Sequence, residues 1–273
     1  MGDERARATR RTFLRRGGLL MAGAGLGAAG FAEAADVTDR KLPIRAGAAG
    51  ATRLQPSRPG RGELLVTWAV ETDRKLVALT FDDGPRPEWT TLVLDTLERH
   101  RAPATFFMVG QRAQRHAPVV RGRMNGHEVG NHTWAHRDLA RTDPAEARTE
   151  LRRAHDAIQE ATGQGPSLLR PPYGHLGGGA VLAAAELGYH LVFWSQQMLE
   201  KHFHDDPGAQ AREVVAKTQP GTILLAHDVG KPERLVGIRA LPELIEGLRG
   251  RGYEFVTVSE LMRARRGPPG STE

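Results

Sequence analysis

The chain has 273 residues, 40% of them apolar, a formal charge of +6 and no cysteine. That length carries a substantial core in one domain, and the absence of thiols excludes disulfides, thiolate metal ligands, a cysteine nucleophile and a lipidated N-terminal cysteine. Half of the charge lies in residues 1–34, where six arginines face only Asp3, Glu4 and Glu33; the rest makes no case for a nucleic-acid partner and suits weak attraction to an anionic cell-wall polymer.

Arg10 and Arg11 precede Thr12, Phe13 and Leu14, then an uncharged stretch from Gly17 to Ala32 that runs into Ala32-Glu33-Ala34. The stretch is too short and too rich in Gly and Ala for a membrane span. Together these features resemble a twin-arginine signal covering 1–34, with a basic tail as the plainer alternative. The signal reading implies the twin-arginine export machinery as a partner, no stable membrane anchor after cleavage, and a secreted or cell-wall-associated protein. Residues 35–62 are rich in Arg, Gly, Ala and Pro, lack apolar periodicity and read as a flexible linker. One folded domain is expected over 63–265, followed by a disordered tail, 266–273.

Within that domain strand-like and helix-like runs alternate. "LLVTWAV" and "KLVALTF" flank a polar turn; a helix near 88–100, "ATFFMVG", a helix near 111–124 and "HEVGNH" follow. A helix near 144–162 has Asp143 as its cap and Pro144 at its first position. Then come "SLLR", a helix near 178–187, "YHLVFW", a helix near 208–218, "GTILLAH", a helix near 233–250, "YEFVTV" and a short helix from Ser259. This order predicts an α/β fold: a mostly parallel sheet with helices outside it, closed or nearly closed into a barrel. No internal sequence repeat at a fixed period accompanies it.

The unusual polar residues fall at the C-terminal ends of these strands. Asp82 and Asp83 follow "LVALTF", His132 follows "HEVGN", Arg170 follows "SLL" and His227 follows "TILLA". In parallel α/β folds those ends share the face where active sites are built. His132 and His136 stand four residues apart, a spacing that aims two imidazoles at one point if the backbone turns helically after the strand. With one aspartate they make a three-donor metal site that keeps a position open for water. Taken singly, each feature also has a structural reading: Asp82 and Asp83 as turn or cap residues, Arg170 as a surface ion-pair residue, His227 as a core histidine. His127 and His155 read as structural, and Trp89, Phe106, Phe107 and Phe193 as core or groove wall.

"TFDDGP" (80–85), "HTWAH" (132–136), "RPPYG" (170–174) and "LLAHD" (224–228) resemble, in order and spacing, the successive motifs of the NodB-homology polysaccharide deacetylases, carbohydrate esterase family 4. The resemblance spans about 63–263. It implies a distorted (β/α) barrel and a divalent metal, Zn2+ or alternatively Co2+ or Mn2+, used to remove acetyl groups from amino sugars or, in some members, from xylan. Carried over by motif, Asp83, His132 and His136 hold the metal. Asp82 is the general base with Arg170 as its cationic partner, the Tyr173 backbone N–H supports the oxyanion, and His227 protonates the leaving amine. The expected substrate is a polysaccharide, peptidoglycan or a chitin-like chain. An O-acetyl esterase on xylan and a non-catalytic glycan-binding relative are the alternatives.

One stretch departs from that pattern. Family members often carry an acid just after the strand-end tryptophan and an Asp-Trp pair downstream, whereas this chain reads "VFWSQQMLEKHFHDDP". Ser195 takes the acidic place, which leaves Glu200 and Asp228 as candidates to tune His227. The "KHFHDD" run reads either as a polar loop or as a second metal site.

Overall fold

The computed structural model describes residues 64–203 and 206–265. The proposed signal, linker and C-terminal tail lie outside the described residues, as does part of the "KHFHDD" run. The longest strand, β2 (Leu76–Asp82), is buried along its whole length, as a continuous apolar run in a parallel sheet requires. It pairs in parallel with β3 (Thr105–Met108) on one edge and β8 (Thr222–His227) on the other. From β3 the sheet continues through β4 (Glu128–Asn131), β5 (Leu168–Leu169) and β6 (His190–Val192) to β1 (Val66–Thr67). From β8 it continues to β7 (Gln196–Gln197). Residues 193–195 alone separate β6, one strand in from the β1 end of the sheet, from β7 at the other end, and Ala69 just past β1 bridges Thr222 of β8. The sheet therefore curls into a distorted barrel of parallel strands, and β9 (Glu254–Phe255) adds to the first residues of β2.

Helices cover the outside. Helix α1 (Pro87–Arg99) follows β2, and α4 (Pro144–Thr162) follows β4. Asp143 caps α4 in a reciprocal capping box with Glu146, and Gly163 ends it at φ 78°, a conformation that favours glycine. Helices α5 (Gly178–Glu186), α7 (Pro207–Lys217) and α8 (Leu235–Gly250) complete the layer, and α9 (Val258–Arg263) packs across the start of β2.

Several elements are shorter than their sequence patterns suggest. Only Val66 and Thr67 of "LLVTWAV" form a strand, which pairs with β6 rather than with β2, while Ala69 makes an isolated antiparallel bridge to Thr222 of β8. The helix expected over 111–124 is two pieces, α2 (Gly110–Arg115) and α3 (Ala117–Val120), because Pro118 cannot continue the hydrogen-bond ladder of the first. "YHLVFW" bends after Val192 so that the chain can leave β6 and join β8.

Candidate functional site

Register sets the site. Asp82 lies opposite Phe107 on one side and His227 on the other, so a carboxylate and an imidazole stand beside each other at the C-terminal ends of neighbouring strands. Asp82 is 3% exposed. Its Oδ1 accepts from Arg170 Nη1 at 2.8 Å. Arg170 is completely buried in the barrel interior, and its other donors are spent on Thr80 Oγ1 (2.7 Å) and the carbonyls of Val192 and Phe193. Its guanidinium also lies over the Phe107 ring, 4.1 Å from the centroid. A buried cation is tolerated only when paired and hydrogen-bonded, and Asp82 is the carboxylate that meets this need. The Oδ2 atom of Asp82 stays free of Arg170 and faces His132 Nε2 at 3.8 Å.

His132 and His136 do converge, but not through a helical turn. Thr133 at φ 67° and His136 at φ 54° fold residues 132–136 into a compact left-handed bend. That bend is held by Asn131 Oδ1, which accepts from Thr133 N, and by Glu150, which accepts from Ala135 N. The carbonyls of Thr133 and Trp134 accept from the first two N–H groups of α2, which a helix start leaves unpaired. His132 Nδ1 lies 2.6 Å from the Arg170 carbonyl. A carbonyl only accepts, so Nδ1 carries the proton and Nε2 presents its lone pair to the site, an arrangement typical of metal-ligating histidines. Burial holds the His132 pKa below its ordinary value despite Asp82 and Asp83, which favours the neutral ring that ligation needs.

Asp83 sits at φ 81° and turns away from Asp82. Its Oδ1 is 3.0 Å from His136 Nε2 and 3.7 Å from His132 Nε2, and its Oδ2 accepts from Arg234 Nη1 at 2.8 Å. Burial would raise this carboxyl, but the His136 hydrogen bond and the nearby histidines outweigh it and hold it well below the usual carboxylate range. The next residue must be glycine: a Cβ on Gly84 would stand 2.1 Å from Asp228 Oδ2. One donor atom from each of Asp83, His132 and His136 fits within 4.8 Å of the others, the only such cluster among the described residues. Two imidazoles and one carboxylate are the donor chemistry of a catalytic zinc-type site, so these residues fit a divalent ion.

His227 contacts Glu200 Oε1 through Nδ1 at 3.2 Å, leaving Nε2 toward the site. Burial alone would lower the His227 pKa, yet the Glu200 hydrogen bond and the Asp82 charge raise it above its ordinary value, against Arg234. Glu200 opens the short helix α6 (Glu200–Phe203) and is admitted by Gly237 of α8, where a Cβ would stand 3.1 Å from Glu200 Cγ. Of the two candidates for tuning His227, Glu200 therefore makes the contact. Asp228 points elsewhere: it is buried, accepts from Thr90 Oγ1 at 2.7 Å, and burial pushes it up to about 7. Ser195 is occupied at the β7–β8 seam, where its Oγ accepts from Ile223 N.

Tyr173 sits at φ 62° in a 3-10 turn, Pro172–Gly174, and its exposed ring packs edge-on against His136 with centroids 4.8 Å apart. The turn hydrogen bonds are made by the N–H groups of Gly174 and His175, not by that of Tyr173. His127 accepts from Ala104 N and His155 contacts the Tyr189 hydroxyl, both away from these residues. Arg234 is the neighbour that sequence reasoning missed; it lies in "GKPERL", where nothing in residue type distinguishes it from a surface arginine.

The family profile described as polysaccharide deacetylase matches residues 69–192. A peptidoglycan-N-acetylglucosamine deacetylase of Bacillus cereus is 37% identical over 201 residues, which is 72% of this chain and 93% of that protein. A chitooligosaccharide deacetylase of a Bradyrhizobium species is 38% identical over 199 residues, covering 68% and 90%. Among solved structures, a peptidoglycan N-acetylglucosamine deacetylase crystallised with a naphthyl N-hydroxybenzamide superposes with a TM-score of 0.68 at 28% identity, over 74% of this chain and 95% of that one.

Proposed function

The chain belongs to the polysaccharide deacetylase family, and on that premise we propose that it is an exported, metal-dependent glycan N-deacetylase acting on peptidoglycan or a chitin-like N-acetylglucosamine polymer. One observation carries the mechanism: a carboxylate fixed by a buried arginine and an imidazole fixed by a glutamate lie in register beside a three-donor cluster. Asp83, His132 and His136 hold a divalent ion, zinc being the first choice for two imidazoles and a carboxylate. Bound there, such an ion supplies carbonyl polarisation and a more acidic water.

The chain's own groups do the rest. Arg170 occupies Asp82 Oδ1, so the proton of the attacking water goes to Oδ2. The Tyr173 N–H donates to the acetyl oxygen as negative charge develops on it. His227, whose protonated form the Glu200 hydrogen bond favours, gives its Nε2 proton to the departing amine, and acetate leaves. A positioned acid or base of this kind contributes about 10²- to 10⁴-fold. Export rests on the arginine pair and the Ala-x-Ala sequence near the N-terminus, and location outside the cytoplasm makes the cell's own wall the nearest polymer.

Acetate release from N-acetylglucosamine oligomers, peptidoglycan and acetylated xylan, with zinc, with chelator and with Asp82→Asn, tests this reading. Chelator-sensitive release from the amino-sugar substrates, lost in the variant, supports it. Preference for acetylated xylan would make the enzyme an O-acetyl esterase, and no release by folded, metal-loaded protein would favour a glycan-binding role. Deletion of residues 1–34, or Arg10→Lys with Arg11→Lys, should abolish export in a producing cell; unchanged secretion would overturn the twin-arginine proposal.

A further inference from the structure

Arg234 touches the metal-site carboxylate from the side opposite the imidazoles. Its Nη1 donates to Asp83 Oδ2 at 2.8 Å and to the Val229 carbonyl at 2.9 Å, while Asp83 Oδ1 is the oxygen near His132 and His136. The arginine is built in rather than draped over the surface. It ends a 3-10 turn, Pro232–Arg234, that leads directly into α8, and Gly230 makes room for its stem: a Cβ at Gly230 would stand 2.3 Å from Arg234 Cδ. The two oxygens of Asp83 are thereby divided between an imidazole pair and a guanidinium.

We propose that Arg234 sets the metal affinity of this site, confining Asp83 to one-oxygen ligation and weakening the hold on a divalent cation. The proposal rests on the metal-dependent reading above. A guanidinium is charged at every working pH, so a bound dication is separated from a permanent positive charge by a single carboxylate. That repulsion acts in a partly buried setting, where charges interact several-fold more strongly than in water. An opposing effect exists, because Arg234 also holds Asp83 in place. Asp83 has other restraints, however: its carbonyl accepts from Arg112 Nη1, and the following glycine is packed against Asp228. Little orientation is lost with Arg234, so the charge effect decides the sign.

The test is an equilibrium titration without substrate. Full-length protein, stripped with chelator, is titrated with Zn2+ in competition with a chromogenic chelator, for wild type, Arg234→Gln and Arg234→Lys, with thermal melts of each metal-free form. The Gln variant should bind Zn2+ about tenfold more tightly or better, a change of about 1.4 kcal/mol. The Lys variant, which keeps the charge, should stay within about threefold of wild type. Equal or weaker binding by Arg234→Gln with an unchanged melt overturns the role of Arg234 alone. Failure of the wild type to bind Zn2+ overturns this proposal together with the metal-dependent reading beneath it.

Discussion

Asp82 faces the barrel interior and Asp83 faces its mouth, and the two halves of the site built around them are made differently. On the interior side the partners are strand residues and backbone carbonyls: Thr80, Val192, Phe193 and a fully buried Arg170. On the mouth side the partners are carried by short helical turns after β7 and β8, namely Glu200 for His227 and Arg234 for Asp83, and the Arg234 side chain is 29% exposed. The interior half ties chemistry to folding, because a charge pair without water cannot lose one member cheaply. The mouth half is better screened and can be retuned without unfolding the chain.

The largest expected effect comes from the interior base. Asp82→Asn keeps an oxygen for Arg170 but cannot accept a proton, so kcat/KM on N-acetylglucosamine oligomers should fall about 10²- to 10⁴-fold while zinc stoichiometry is retained. A loss under tenfold would move the base to another residue. Arg170→Met tests the link to folding: Asp82 is left buried without its cation, and chemical denaturation should show a loss of about 3–5 kcal/mol. A loss below about 1 kcal/mol would mean that water enters this part of the barrel and that the two halves are alike.

That asymmetry also explains how much could be read from the sequence. Asp82, Asp83, His132, Arg170 and His227 were legible as strand-end polar residues because strand periodicity is strong and parallel topology gathers strand ends on one face. The same reasoning placed the barrel and the Asp143 cap. It misjudged how His132 and His136 meet, since spacing of four suggests a helix and nothing in the sequence announces two left-handed residues held by Asn131 and Glu150. It left Glu200 and Asp228 undecided and passed over Arg234, because these contacts depend on how α6 and α8 pack. Gly237 and Gly230 provide the space for Glu200 and Arg234, and neither glycine stands in a pattern that reveals it.

On the mouth side Glu200→Gln should cost less and show itself in pH dependence. Burial lowers the His227 pKa, and the Glu200 hydrogen bond together with the Asp82 charge more than restores it. Removing the Glu200 charge therefore shifts the alkaline limb of kcat/KM to lower pH, with about a tenfold loss above neutrality and a smaller one on the acid side. An unmoved alkaline limb would show that His227 is not the group titrating there. The native pair also contributes stability that is fully present below the ordinary histidine pKa of 6.5 and fades as pH rises through the higher folded value. The melting-temperature gap between wild type and variant should narrow accordingly toward alkaline pH.

The smallest effect is expected at Asp228, which lies beside the site without serving it. Burial, more than the neighbouring Asp83 charge, pushes this carboxyl up to about 7 from 3.8, and its Oδ1 has no partner. A folded state that keeps a proton the unfolded chain releases becomes less stable as pH rises from about 3.8 to about 7, and stays so above it. Asp228→Asn removes the ionisation while keeping an oxygen for Thr90. The variant should gain on the wild type as pH rises, its melting-temperature advantage growing by at least about 3 °C between pH 5 and pH 8. A gap that stays constant across that range would mean that Asp228 is ionised throughout, held by contacts stronger than its bond to Thr90.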